Sequence, residues 1–222
     1  YLDVFVFPWL KYGVNAPSSG HDLGLELSSC IVNGLEWGLR YREKTKTANL
    51  PVEGEKGITP CADNTRRQLR LQLKACFGGL SLKTKAELNR FNIAGFEAST
   101  GALFSQECRY KTPDERLSLS LQYAMFDTEK YENRIYFYEY DLPGVFSIPA
   151  YSGTGSAYVL CCKLKPGRNF QCWARLRHRA YSDREEVGTM LDMVRGPCST
   201  EFRLGFTYRF SAKSGLNSQN QP

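Results

Sequence analysis

The chain lacks any apolar run long enough for a membrane-spanning helix. About eighteen residues are needed, and the richest stretch, Val4 to Leu10, is interrupted by Pro8. Histidine is nearly absent: His21 and His178 are the only two, and His178 shares the parity of Leu176 rather than that of the charged residues around it. A histidine-dependent serine hydrolase needs His and Ser facing one cavity with an orienting Asn or Asp, and no local arrangement supplies this. No CxxC occurs among the eight cysteines, so the spacing resembles no metal site. The SGTGS stretch at Ser152 to Ser156 lacks the following Lys and helix of a phosphate-cradling loop and reads as a flexible connection. Asp127, Glu129 and Glu132 make an acidic loop that reads as solvated in preference to calcium-binding. Neither a metal nor a cofactor is expected, and the chain is not expected to be an enzyme.

What is present is alternation. The residues from Glu201 to Phe210 read EFRLGFTYRF, with Phe202, Leu204, Phe206, Tyr208 and Phe210 on one parity and Glu201, Arg203, Gly205, Thr207 and Arg209 on the other. Leu69, Leu71, Leu73, Ala75 and Phe77 oppose Gln68, Arg70, Gln72 and Lys74 in the same way. Leu82 to Leu88 oppose Lys83, Lys85, Glu87 and Asn89, and Leu117 to Met125 oppose Arg116, Ser118, Ser120 and Gln122. Leu23, Leu25 and Leu27, then Leu35, Trp37, Leu39 and Tyr41, repeat the pattern near the start. A 42% hydrophobic, 23% charged chain of negative mean hydropathy is compatible with water or with lipid, because the strands of a membrane barrel keep half of their residues polar.

The connections sort by length. Short ones fall at Ile31 to Gly34, Gly78 to Gly79, Thr112 to Glu115 and Pro166 to Arg168, each with turn-forming residues. Long ones run from about Glu43 to Thr65, Asp127 to Gly155 and Ser182 to Ser199, and the aromatic run Ile135 to Tyr140 inside the second would add a strand pair or form an extracellular hairpin. Outer-membrane barrels alternate short periplasmic turns with longer extracellular loops. The expected fold is all-β: an antiparallel transmembrane β-barrel of about ten strands, or part of a larger one, over residues 1–210, with a polar tail at 211–222 whose composition favours disorder. A soluble antiparallel barrel or sandwich alternates too, but strand lengths near ten residues and the loop alternation favour the membrane form. The chain opens at Tyr1 inside a strand-like run, without a start methionine or signal peptide. A processed or partial chain is therefore expected, with export inferred from the fold.

Several stretches are similar to the carboxy-terminal barrel of outer-membrane proteins from Bacteroidetes-type bacteria that carry a helix-hairpin-helix segment upstream. These are FPWLKYGVNAPSSG (Phe7 to Gly20), SLSLQYAMFDTEKYENRIYFYEYD (Ser118 to Asp141), FSIPAYSGTGS (Phe146 to Ser156) and the closing strand. The resemblance implies a bacterial outer-membrane location, with the lipid bilayer and lipopolysaccharide as surroundings, envelope proteins as partners, and Phe202, Leu204, Phe206, Tyr208 and Phe210 as the membrane insertion signal. Family members are associated with DNA through the helix-hairpin-helix portion; no such portion is visible here, so nucleic acid enters only as a suggestion.

If the apolar parity faces lipid, the other encloses a basic lumen: Arg40, Arg42, Arg70, Lys74, Lys83, Lys85, Lys163, Arg175, Arg177, Arg179, Arg203 and Arg209. Such a lumen would attract anionic solutes or an anionic polymer. Alternatively, Glu26, Glu36, Glu87, Glu97 and Glu201 pair with these cations in a packed, non-conducting interior. Three functions follow: a transport or pore component or membrane-embedded subunit of an envelope complex, a surface-binding barrel that displays its loops, and, least favoured, an outer-membrane hydrolase. Among the cysteines, Cys61 and Cys198 fall in predicted long loops and are the better disulfide candidates, whereas Cys76, Cys162 and Cys172 fall in or beside strands and Cys161 and Cys162 face opposite sides.

Overall fold

A computed structural model describes residues 1–12, 14–50, 60–188 and 193–210; the polar tail lies outside the described residues. Ten strands form one antiparallel sheet in which each strand lies beside the one before it: β1 (Leu2–Phe7), β2 (Ser18–Val32), β3 (Leu35–Asn49), β4 (Cys61–Phe77), β5 (Leu80–Ile93), β6 (Ser99–Lys111), β7 (Leu117–Thr128), β10 (Gly153–Leu164), β11 (Phe170–Tyr181) and β14 (Cys198–Tyr208). Four two-residue strands, β8 (Ile135–Tyr136) with β9 (Ala150–Tyr151) and β12 (Glu186–Val187) with β13 (Val194–Arg195), sit in connections. The sheet is open between β1 and β14.

Antiparallel alternation puts the connections 33–34, 78–79, 112–116 and 165–169 at one end of the sheet, and 8–17, 50–60, 129–152 and 182–197 at the other together with the five-residue 94–98. Two strands outrun expectation: β3 continues to Asn49 and β4 starts at Cys61, because Thr45 to Ala48 pair in register with Thr65 to Ala62 although all but the two alanines carry polar side chains. Ladder hydrogen bonding needs no hydrophobic side chain. The SGTGS stretch is likewise strand rather than loop from Gly153 onward. Gly155 permits it, since a Cβ there would stand 2.4 Å from the Ala180 carbonyl and 3.0 Å from the Phe126 ring.

Apolar side chains on the outward parity are exposed, Leu25, Leu71, Leu121, Leu204 and Phe206 among them. Their belt is oblique to the hydrogen-bonded rows. On β2 its uppermost residue, Leu23, shares a row with Glu43 and Arg67; on β14 its uppermost residue, Phe202, shares a row with Leu176, Leu160, Leu121, Cys108, Leu82 and Ala75. From Arg67 to Ala75 the belt slips one residue per strand. At about 3.3 Å per residue and 4.8 Å between strands, the strands tilt about 35° from the normal to the belt. Above the belt the same outward face turns polar: Tyr41 donates to Glu43 at 2.7 Å, Arg67 meets Glu43 at 2.7 Å, and Thr154 donates to Asp127 at 2.7 Å.

The connection after β7 turns inward: of the strand pair and the extracellular hairpin that the sequence left open, it forms a short pair, β8 with β9, that stands apart from the large sheet. After a 3-10 turn at Tyr131–Asn133 it forms a hairpin in which Ile135 pairs with Tyr151, Phe137 takes the Pro149 carbonyl at 3.1 Å and Glu139 that of Ser147 at 3.1 Å. Ile135, Phe137 and Tyr151 bury themselves against Leu103, Ala124, Phe126 and Ala157 on the inner face, with Phe126 and Tyr151 stacked at 4.5 Å. This is where the sheet's inner face turns apolar, which rewards docking the hairpin there and not in solvent. Asn133 is fully buried and donates to Ser99 at 2.8 Å; Gly101 leaves room for it, a Cβ there lying 3.2 Å from Asn133.

Candidate functional site

The inner face carries the cations that the alternation placed there, and carboxylates match most of them across neighbouring strands. On the β2 to β5 side, Arg40 meets Glu26 at 2.9 Å, Arg42 and Lys44 share Asp22 at 2.8 and 3.1 Å, Arg70 meets Glu87 at 2.9 Å and Lys74 meets Glu36 at 3.0 Å. Lys83 reaches Glu107 and Lys85 reaches Glu87, both at 3.6 Å. Cross-strand register puts these pairs opposite or diagonal, the geometry in which unlike charges attract, except Lys85 and Glu87, which sit two residues apart on β5. Glu97, expected among the partners, is exposed in the connection between β5 and β6. Arg209 follows the end of β14 and is exposed, so it stands outside the interior network.

The ladder Arg175, Arg177 and Arg179 occupies one line on β11, as its two-residue spacing requires, and Arg203 joins it from β14. The hairpin supplies the counter-charge. Glu139, with no exposed side-chain surface, meets Arg175 at 2.6 Å, Arg179 at 2.8 Å and Arg177 at 3.5 Å, and accepts from the Tyr151 hydroxyl at 2.6 Å. Asp141, almost as buried, meets Arg203 at 2.8 Å and Arg175 at 3.7 Å. Glu201 pairs with Arg177 and Arg203 from the neighbouring strand. Arg175 also donates its Nε to the Tyr140 carbonyl at 2.8 Å. Burial pushes the Glu139 carboxyl up, but Arg179, the Tyr151 hydroxyl and Arg177 outweigh it and hold the group below the usual carboxylate range. Burial, aided by Glu139 and Glu107 respectively, raises the phenols of Tyr151 and Tyr140.

Glu139 and Asp141 were missed because sequence placed them in a loop. Their signal was present: Ile135, Phe137, Glu139 and Asp141 share one parity while Tyr136, Tyr138 and Tyr140 take the other. Gln122 locks the hairpin further, donating to the Tyr138 carbonyl at 3.1 Å and accepting from the Tyr140 amide at 2.7 Å.

All eight thiols are free. Cys61 and Cys198, the better disulfide candidates by sequence, head β4 and β14, which are separated by five strands of the sheet; no disulfide spans such a gap. Cys161 takes the inner face, donating to the Tyr140 carbonyl at 3.4 Å. His178 shares its outward position with Thr200, 2.9 Å away. Glu129 of the acidic loop is engaged by the amide and hydroxyl of Thr100 at 2.7 and 3.0 Å, and no cluster of His, Cys, Asp or Glu suited to a metal ion occurs among the described residues.

The fold and its inner face define an all-β protein built on one large antiparallel sheet with a charge-matched polar side. Compared with protein-family models, with curated proteins and with solved structures, the chain matches none.

Proposed function

We propose that this chain forms the wall of a bacterial outer-membrane β-barrel, closed between β1 and β14 directly or through further strands, and that it serves as a membrane-embedded subunit of an envelope complex with its interior occupied by its own hairpin. The observation that carries this reading is the oblique belt of exposed apolar side chains on the face opposite the buried ion pairs. Its slope of about 35° falls in the range of strand tilts used by transmembrane barrels. Hydrocarbon would satisfy such a belt, whereas water would meet a large continuous apolar surface. Edge closure follows from the same setting, since unpaired backbone groups inside a bilayer cost several kcal/mol each. In this reading the short turns are periplasmic and the polar collar of Glu43, Arg67 and Asp127 lies at the outer surface.

The matched charges favour a packed interior over an open anion pore. Each rung of the arginine ladder already holds a carboxylate, so a passing anion would have to displace Glu139 or Asp141. The resemblance to Bacteroidetes-type outer-membrane barrels agrees with this reading. The test is extraction and migration: the folded protein should require detergent, and should run differently on a denaturing gel with and without heating. A chain that stays monodisperse in plain buffer, with unheated and heated samples identical, would refute the membrane assignment. Reconstituted in planar bilayers, the native protein should show little steady conductance.

A further inference from the structure

Most inward cations of this sheet have a carboxylate partner, but three neighbouring ones depart from the rule and converge. Arg109 and Lys111 on β6 and Lys163 on β10 line one cavity of about 230 Å³ beneath the hairpin tip, toward the end of the sheet that carries the short turns. Among the described residues none of the three lies within ion-pair distance of a carboxylate, whereas Lys83, two rows from Arg109 on β5, has Glu107. Register explains the convergence: Lys111 and Lys163 both pair with Ser118, and Arg109 pairs with Ser120, so β7 contributes two hydroxyls between the cations. Aromatic faces position two of the charges without neutralising them. The Arg109 guanidinium lies 4.4 Å from the centre of the Tyr140 ring and the Lys163 ammonium 5.6 Å from that of Trp173. Asp141 also borders the cavity, but Arg203 and Arg175 already hold its oxygens.

We propose that this cavity is a binding site for a phosphate-type oxyanion. The donors fit: a guanidinium, two ammonium groups and two hydroxyls offer N–H and O–H groups from three strands, a set that suits a multiply charged group with several acceptor oxygens. The volume holds a phosphate and a small organic remainder against Trp173 and Leu142. The three charges line one open recess, with Arg109 and Lys163 half-buried and Lys111 at its exposed rim, and an anion seated there would relieve their mutual repulsion. The inference rests on the register and the cavity alone, so it stands whether or not the outward belt meets lipid.

The experiment is calorimetric titration of inorganic phosphate into the folded chain in an uncharged detergent at low ionic strength. Saturable binding is expected, weakened at least tenfold by Lys163→Gln and by Lys111→Gln, weakened further by the double variant, and reduced by added salt. Lys74→Gln, which removes a paired inward cation, should leave the affinity within about twofold. Arg109→Gln is a third variant, and circular dichroism reports whether its loss of stacking on Tyr140 disturbs the fold. Competition by a soluble short-chain phosphatidic acid would assign the site to lipid head groups, and its absence to free phosphate compounds. No saturable binding by the native chain, or equal weakening by Lys74→Gln and Lys163→Gln, would overturn the proposal. Failure of the heated-gel test, with phosphate still bound, would overturn only the membrane reading.

Discussion

Replacing Glu139 by glutamine keeps the side chain's shape and removes its charge, and the consequence can be worked out contact by contact. Arg175 would retain Asp141 and Glu201, each at 3.7 Å. Arg179, whose side chain is only 14% exposed, would keep no carboxylate within reach among the described residues. One amide face would still accept from Tyr151, but the new amino group would point its hydrogens at guanidinium donors. Breaking a buried ion pair by removing one partner costs about 3–5 kcal/mol, which shifts the docked-to-released equilibrium of the hairpin by roughly two to four orders of magnitude. Amide hydrogen exchange at Phe137 and Glu139, whose N–H groups are bonded to Pro149 and Ser147 within the hairpin, should accelerate, and a protease should cut between residues 135 and 151. Combining Glu139→Gln with Arg179→Met should recover part of the loss, because the orphaned charge goes too. If Glu139→Gln exchanges like the native chain, with its stability changed by less than about 1 kcal/mol, the hairpin is held by its apolar contacts and the ion-pair account is wrong.

Three further outcomes follow from the same geometry. Because the Glu139 carboxyl sits lower in the folded chain than in the unfolded one, its contribution is fully present above the unfolded value near pH 4.3 and is lost as pH falls through the lower folded value; hairpin protection measured by exchange should hold from pH 7 to about 5 and fail only in stronger acid. Leu71→Arg, at an exposed position in the outward belt, should impair insertion into lipid vesicles by about 2–4 kcal/mol if it lies at mid-bilayer, whereas Arg67→Ala in the collar should change it little; equal effects would remove the belt's significance. Gly155→Val should block folding of the β7–β10–β11 region, since even a Cβ would stand 2.4 Å from the Ala180 carbonyl oxygen, and a thermal transition unchanged from the native chain would contradict the close approach.

Much of the sheet was legible before any coordinates. A two-residue period with charge on one parity admits no other regular structure, and Gly78–Gly79, Pro166 and Asp114 mark chain reversals at which the strands had to turn. The lateral order followed, because consecutive antiparallel strands joined by tight turns must be neighbours. That Arg175, Arg177 and Arg179 share one face of the sheet followed from their spacing.

Sequence could not say where the segment from Ile135 to Tyr151 would go. An alternating hairpin looks the same whether it projects into solvent or folds back, and the choice depended on groups distant in the chain: the patch of Leu103, Phe126 and Ala157, and four arginines awaiting carboxylates. The same holds for the unpaired Arg109, Lys111 and Lys163, whose neighbourhood exists only once three strands are in register. Local chemistry determined the strands, their order and which side of each is charged, since these depend on residues two apart. Tertiary structure decided which charges meet and which remain unmatched, because electrostatic pairing depends on distance in space.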